Sequence, residues 1–229
     1  MSGFDYIKRN YEGLLEEIEK LSAEIGTKAP TLVSVTKSGT DEELLALAAA
    51  GAVDIGENRP GEVKRRGEIL RAAGFCPRMH EIGSLQTNKV KLIIEDAHLV
   101  HSLDSERLAN ELNKRAAAIN RTLPVLIEIN SAREEQKGGI LPESAEEFLA
   151  KLKEYPRLSP RGLMTMGPLS DEGEDLRTYF RETKKLFDKL TPYFDTDAPT
   201  LSMGMSDSYR VAIEEGSTLV RVGRRLFVK

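Results

Sequence analysis

An α/β fold, a single (β/α)8 TIM barrel carrying one extra amino-terminal helix, is predicted by three observations. From Thr31 onward, short apolar runs alternate with longer amphipathic patterns, and strict strand–helix alternation builds a parallel sheet with helices outside. The runs number eight, the count that closes a barrel. Polar and glycine-rich residues gather at their carboxyl ends, the edge at which parallel barrels carry their chemistry. A doubly wound open sheet is the competing architecture, but no glycine-rich dinucleotide turn follows the first run.

Residues 1–26 place Phe4, Ile7, Tyr11, Leu14, Leu15, Ile18, Leu21 and Ile25 on one face of an amphipathic helix that stops at Gly26. Standing before the first strand, this helix reads as a cap over an exposed end of the core. Strands are expected at Thr31–Thr36, Val53–Ile55, Arg78–Ile82, His98–His101, Val125–Ile129, Leu158–Leu163, Thr200–Met203 and Thr218–Val222. Helices are expected near 41–50, 59–73, 85–95, 105–119, 143–153, 173–190 and 207–214, with Thr40, Asp104, Pro142 and Ser206 in capping or first-turn roles. No linker, low-complexity tract or long charge block divides the chain, so residues 1–229 read as one domain.

Composition narrows the function. With 40% hydrophobic and 31% charged residues, the chain has the make-up of an ordinary soluble protein. A net charge of -4 argues against a nucleic-acid partner, since phosphate neutralisation needs clustered Lys and Arg. The single Cys76 excludes an internal disulfide and a multi-cysteine zinc site, in keeping with a reducing compartment. Leu44–Val53, the longest nearly apolar run, is too short to span a membrane. A cytoplasmic monomer without membrane association is the expectation. His98 and His101 are spaced to fall on opposite edges of a strand and have no HExxH-like company, so no metal site is expected.

The run TLVSVTK ends the first strand on Lys37. An amine at a barrel mouth is partly desolvated, which lowers its pKa and suits it to Schiff-base chemistry with an aldehyde or ketone; a solvated lysine at a strand end is the plainer reading. The second strand leads into GENRP, putting Asn58 and Glu57 at the same rim, and the third into HEIGSLQTNK, with His80 on the strand. Long glycine-bearing stretches, EINSAREEQKGG and LMTMGPLS, follow strands five and six. The last two strands carry LSMGMSDS and LVRVGRR, two glycine turns with Ser206 at a helix start and Arg221 ahead of Gly223 and Arg224. Glycine turns and helix starts expose backbone N–H groups of the kind a phosphate dianion requires. The loops after strands seven and eight are the usual phosphate site of such barrels. A reactive lysine facing that cradle outlines a ligand with an aldehyde at one end and a phosphate at the other, a description pyridoxal 5′-phosphate (PLP) fits.

The strings TLVSVTK, DIGEN, HEIGSLQTNKVK, VHSLD, GLMTM, LSMGMSDS and EGSTLVRVG, in this order, resemble the pyridoxal-phosphate homeostasis protein family, single-domain relatives of the alanine racemase barrel. The resemblance runs from about residue 5 to 228. It implies a (β/α)8 barrel binding PLP as an internal aldimine on Lys37, with Arg221 facing the pyridine nitrogen. By the same resemblance Ser206, Gly223 and the backbone of Arg224 hold the phosphate, and Asn58, His80 and Met203 line the pocket. Two departures stand out: Arg224 occupies a place where the family commonly has threonine, and the chain ends Phe227, Val228, Lys229 without the usual glycine.

The resemblance also implies a role in intracellular PLP homeostasis, holding the cofactor and delivering it to apo PLP-dependent enzymes, without catalytic turnover. An arginine at the pyridine nitrogen weakens the ring as an electron sink, and the two-domain racemases draw their second base from a β-domain not recognised in this sequence. Two other readings use the same groups. One is a small PLP-dependent amino-acid racemase with a rim residue such as His80 as base. The other is a Schiff-base aldolase acting on a sugar phosphate without the cofactor.

Overall fold

Eight parallel strands close on themselves in the order in which the chain makes them. They are β1 (Thr31–Val35), β2 (Asp54–Glu57), β3 (Arg78–Glu81), β4 (Ala97–Leu103), β5 (Leu123–Glu128), β6 (Leu158–Met164), β7 (Thr200–Ser202) and β8 (Leu219–Val222). β8 returns to β1 with Thr31 opposite Leu219 and Ser34 opposite Val222. The chain is seen here in a computed structural model that describes residues 3–134, 136, 138–168 and 173–229. Strand boundaries move by one or two residues from those expected, and at β2 the shift draws Glu57 into the strand.

Side chains on alternate strand positions face opposite ways. Ile55, Met79, Val100, Ile127, Leu163, Leu201 and Val220 turn outward and join Leu44, Leu70, Leu112 and Phe180 of the surrounding helices in one continuous core. Leu99, Leu126 and Met164 make a small separate cluster. Those helices are α2 (Asp41–Ala49), α3 (Pro60–Ala72), α4 (Glu106–Ala118), α5 (Ala145–Lys151), α6 (Arg177–Leu190) and α7 (Tyr209–Glu214), with α1 (Asp5–Glu24) ahead of the barrel. α2 starts on a full capping box: Thr40 Oγ1 accepts the Glu43 N–H at 3.2 Å, and Glu43 accepts the Thr40 N–H at 2.7 Å.

Three expectations about the helices need correction. The helix near 85–95 is a 3-10 helix over Thr87–Leu92, which puts β-branched Val90 and Ile93 one above the other and seats both in the core. The cap before α4 is Ser105, accepting the Leu108 N–H, rather than Asp104. α7 begins after Ser208, not Ser206, leaving the Ser206 hydroxyl for another partner. Pro142 does open a 3-10 turn, Pro142–Ser144, ahead of α5.

α1 does not cover a barrel end. It packs against α2, α7 and the three-residue turn Arg224–Leu226 after β8, standing in the ring of helices between α7 and α2. Ile7, Leu14 and Ile18 are its buried stripe. Asn10 Nδ2 donates to the Val228 carbonyl at 2.7 Å, so the carboxyl-terminal residues are tied to α1.

Between the barrel and its helices lies a pair of buried carboxylates, Glu57 and Glu81, opposite each other on β2 and β3. Arg66 of α3 pairs with Glu57 at 3.1 Å, whereas Glu81 accepts the Gly83 N–H at 3.1 Å and its Oε2 has no partner among the described residues. Burial pushes the Glu81 carboxyl up to about 8; the Gly83 N–H opposes the shift and the charge of Glu57 adds to it. Unfolded glutamate ionises near pH ~4.3. Between there and about pH 8 the folded state keeps a proton the unfolded state has released, so stability falls as pH rises. Glu81→Gln removes that titration. We expect the variant to exceed the parent in urea stability at pH 9 by on the order of 1–3 kcal/mol, with little difference at pH 5; equal pH dependence in the two proteins would show that Glu81 is not the group responsible.

Candidate functional site

The carboxyl ends of β1, β2, β3, β6, β7 and β8 surround a cavity of about 370 Å3, within the range of small-ligand and cofactor sites. Lys37, Asn58, Ser206, Arg221, Gly223 and Arg224 all line it, and Val35, Ile82, Leu176 and Met205 supply apolar wall. Six of the eight residues picked from the sequence therefore share one cavity. The stretches after β5 and β6 extend outside the described residues at Glu135, Lys137 and residues 169–172.

Lys37 stands at this mouth because Val33 and Val35 point inward and position 37 keeps their phase. It is exposed, not the partly desolvated amine expected, because it lies beyond the last strand residue where the mouth meets solvent. Arg66 fixes the backbone on both sides of it, Nη1 donating to the Thr36 carbonyl at 2.5 Å and Nη2 to the Gly39 carbonyl at 2.8 Å. Sequence reading missed Arg66, although a signal was there: it falls in the buried stripe Val63, Arg66, Gly67, Leu70 of α3, where a charged residue needs a partner.

Asn58 presents a buried Oδ1 with no hydrogen-bond partner among the described residues. Its backbone is pressed by the turn after β3 so closely that a Cβ on Gly83 would lie 2.2 Å from the Asn58 carbonyl oxygen, which leaves glycine as the residue that fits. On the opposite wall, Gly204 takes φ +92° where the chain turns from β7 toward α7. Beyond it the Ser206 hydroxyl accepts the Gly223 N–H at 3.3 Å, joining the turns after β7 and β8. Arg224, mostly exposed, forms an ion pair with Asp207.

Arg221 is 3% exposed. Nη1 donates to the carbonyl of Ser202 at 3.0 Å and to its hydroxyl, and Nη2 to the Thr165 carbonyl at 3.1 Å. Burial pushes the guanidinium down to about 10, opposed by the Glu128 carboxylate, so it stays charged at neutral pH. Glu128, on β5, is itself pushed up to about 7 by burial, and the neighbouring charge of Asp104 adds to the shift. Sequence reading did not single it out, since glutamate at a strand end is ordinary.

Three placements differ from the expectation. Met203 is fully buried in the outer core, because Ser202 turns inward and the next residue must turn out. His80 is inside the barrel but below the cavity wall, 2% exposed, with its ring nitrogens 2.9 Å from Asp54 Oδ1 and His101 Nε2. Glu57, expected at the rim beside Asn58, faces the helix layer. His98 and His101 do not fall on opposite edges either: both rings lie within 6 Å of His80, at 5.7 and 5.2 Å between centroids. Register shifts on both sides of β4 break the strand's alternation. Among the described residues no cluster of His, Cys, Asp or Glu is arranged to hold a metal ion, and no helix is long and apolar enough to cross a membrane.

The alanine racemase N-terminal domain family matches residues 10–228 of this closed parallel barrel. Within it the likeness is narrower. A pyridoxal phosphate homeostasis protein from Aquifex aeolicus is 40% identical over 216 residues, covering 93% of this chain and 94% of the relative. Another from Helicobacter pylori is 34% identical over 226 residues, covering 97% and 98%. The solved structure of PipY from Synechococcus elongatus with PLP bound matches with a TM-score of 0.77 at 27% identity, over 92% of this chain and all of that one. The chain belongs to the pyridoxal phosphate homeostasis protein family.

Proposed function

We propose that this protein binds PLP in the barrel mouth, covalently through Lys37, and that its work in PLP homeostasis is to hold and release the cofactor without turning over amino acids. The observation that carries the reading is one cavity containing an exposed amine, a buried cation and a hydroxyl-bridged pair of glycine turns. The names of the relatives and the PLP bound in PipY support it. The buried Asn58 Oδ1 also fits, since an acceptor without a partner costs roughly 1–3 kcal/mol unless a ligand donor meets it. On this reading residues 1–229 act as one cytoplasmic domain, and apo PLP enzymes receive the cofactor.

PLP supplies an aldehyde that condenses reversibly with amines and a ring whose electron-withdrawing power depends on its nitrogen's protonation. Lys37 contributes the nucleophilic amine, and Arg66 fixes where its backbone stands. Ser206, with the N–H groups of Gly223 and Arg224, would hold the phosphate. Arg221 would donate to the ring nitrogen while keeping its own proton, and Asn58 would accept at the cavity's other side. The test is to add PLP to purified protein, desalt, reduce with borohydride and map peptides: the adduct should be on Lys37, and an adduct on Lys89 instead would refute the site.

Arg221→Gln is expected to weaken retention about ten- to a hundredfold, a charge-assisted hydrogen bond being worth roughly 1.5–3 kcal/mol, and to shift the bound cofactor's absorption band. Unchanged affinity and spectrum would place Arg221 away from the ring. Arg224→Ala should cost less, because its N–H survives and its side chain is already paired with Asp207.

A further inference from the structure

A continuous file of hydrogen-bonded side chains crosses the inside of the barrel and ends on Arg221. Asp54 Oδ1 lies 2.9 Å from His80 Nε2, and His80 Nδ1 lies 2.9 Å from His101 Nε2. His101 Nδ1 lies 3.0 Å from Ser202 Oγ, which is bonded in turn to Arg221 Nη1. Asp54, His80, His101, Ser202 and Arg221 are all less than a tenth exposed. Barrel interiors of this kind are ordinarily filled by branched aliphatic side chains; here five strands each place a polar group in one line. At its far end Asp54 also accepts from Arg78, which is half exposed.

The chemistry of the two ends fixes the direction of the bonds they make. Arginine has no acceptor, so Ser202 Oγ accepts from Arg221. Burial would raise the Asp54 pKa, but hydrogen bonds from His80 and Arg78 hold it below the usual range; the carboxylate has nothing to donate, so His80 Nε2 carries a proton toward it. Burial holds His101 well below its ordinary value, so it is neutral. If His80 Nδ1 accepts from His101 Nε2–H, His101 Nδ1 accepts from the Ser202 hydroxyl; every bond then points one way, from Arg221 to Asp54, and bonds aligned in this manner strengthen one another.

We propose that Asp54, His80, His101 and Ser202 form a polarised relay that positions Arg221 for its ligand without touching that ligand. A carboxylate set directly against the guanidinium would take two of its donors in a bidentate pair. The relay links the buried charge to Asp54 through intervening side chains instead, and leaves two of the five N–H donors without a partner among the described residues. Only the ligand arm of the proposal rests on the PLP reading.

The test is Asp54→Asn. Arg78 demands an acceptor, so the new amide keeps its oxygen toward Arg78 and turns its NH2 toward His80. His80 Nε2 must then accept, its proton moves to Nδ1, His101 follows, and Ser202 Oγ receives hydrogen bonds from both His101 and Arg221. Nitrogen-15 NMR of the ligand-free protein should show both imidazoles protonated on Nε2 in the parent and on Nδ1 in the variant. The PLP dissociation constant should rise roughly fivefold, the worth of one ordinary hydrogen bond, with a shifted absorption band. Ser202→Ala, which cuts the file beside Arg221, should do the same to binding and should quicken exchange of the Arg221 side-chain N–H protons about fivefold in the absence of ligand; it carries the test if the Asp54 variant fails to fold. An Nδ1 tautomer in the parent, or a His101 tautomer unmoved by Asp54→Asn, overturns the relay. Switched tautomers with Arg221 exchange and PLP binding unaltered overturn its action on Arg221. A parent protein that binds no PLP overturns the binding reading alone, and the relay is then judged on the tautomers and the Arg221 exchange.

Discussion

Lys37→Ala protein is expected to keep no PLP through desalting and to give no pyridoxyl peptide after borohydride reduction. No second lysine lines the cavity among the described residues, so no neighbouring amine stands ready to substitute. If the phosphate end is held on the far wall, as proposed, reaction with Lys37 becomes intramolecular, and effective molarities of well-placed groups reach ~10⁵ M or more. Losing that advantage should lower affinity by roughly three decades or more. Lys37→Arg separates charge from chemistry: it keeps a cation at the mouth but no nucleophile, and should fail as completely as alanine. Because the residue is exposed beyond the end of β1, neither change should alter stability by more than about 0.5 kcal/mol. A Lys37→Ala protein that still holds cofactor covalently would refute the site; one that holds it tightly but non-covalently would show that the cradle alone suffices.

The outline of this site was legible because parallel barrels gather chemistry at one edge. Lys37, Asn58, Ser206, Arg221, Gly223 and Arg224 all sit just before or after a strand's carboxyl end, where sequence position nearly determines spatial position. Met203 and Glu57 show what the same reasoning cannot reach. Each is one residue from an inward-facing position, and a single step along a strand reverses the face. His80 faces inward as expected, but depth along the barrel axis depends on stagger between strands, which a run of residues does not encode. Arg66 acts through a helix onto a loop 27 to 30 positions earlier, a distance over which no local pattern carries information. The place of α1 was hidden for a similar reason: its contacts with α2, α7 and the Arg224–Leu226 turn join residues far apart in the chain.

The second large effect is a missing one. Incubated with alanine in deuterium oxide, the PLP-loaded protein is expected to exchange the α-hydrogen no faster than free PLP at the same concentration. Racemisation needs a proton acceptor on one face of the ring and a donor on the other, and a positioned general acid or base contributes typically ~10²- to 10⁴-fold. Of the titratable side chains lining the cavity, Lys37 can serve one face. Asp207 is engaged by Arg224, and Arg221 holds its proton too firmly to exchange it near pH 7. His80, the base named for a racemase, sits below the cavity wall with both ring nitrogens committed to Asp54 and His101. Arg221, if it meets the ring nitrogen as proposed, would withhold the proton that makes the ring a strong electron sink. Each deficit slows the same step, so together they should hide any turnover beneath the background of the free cofactor. The open mouth and exposed Lys37 favour exchange with another amine, so the loaded protein should reactivate an apo PLP enzyme faster than PLP escapes into a trapping solution. Recovery at the escape rate alone would leave storage without delivery. Deuterium entering alanine well above background, and lost in Asp207→Asn, would instead make Asp207 the second base and this protein an enzyme.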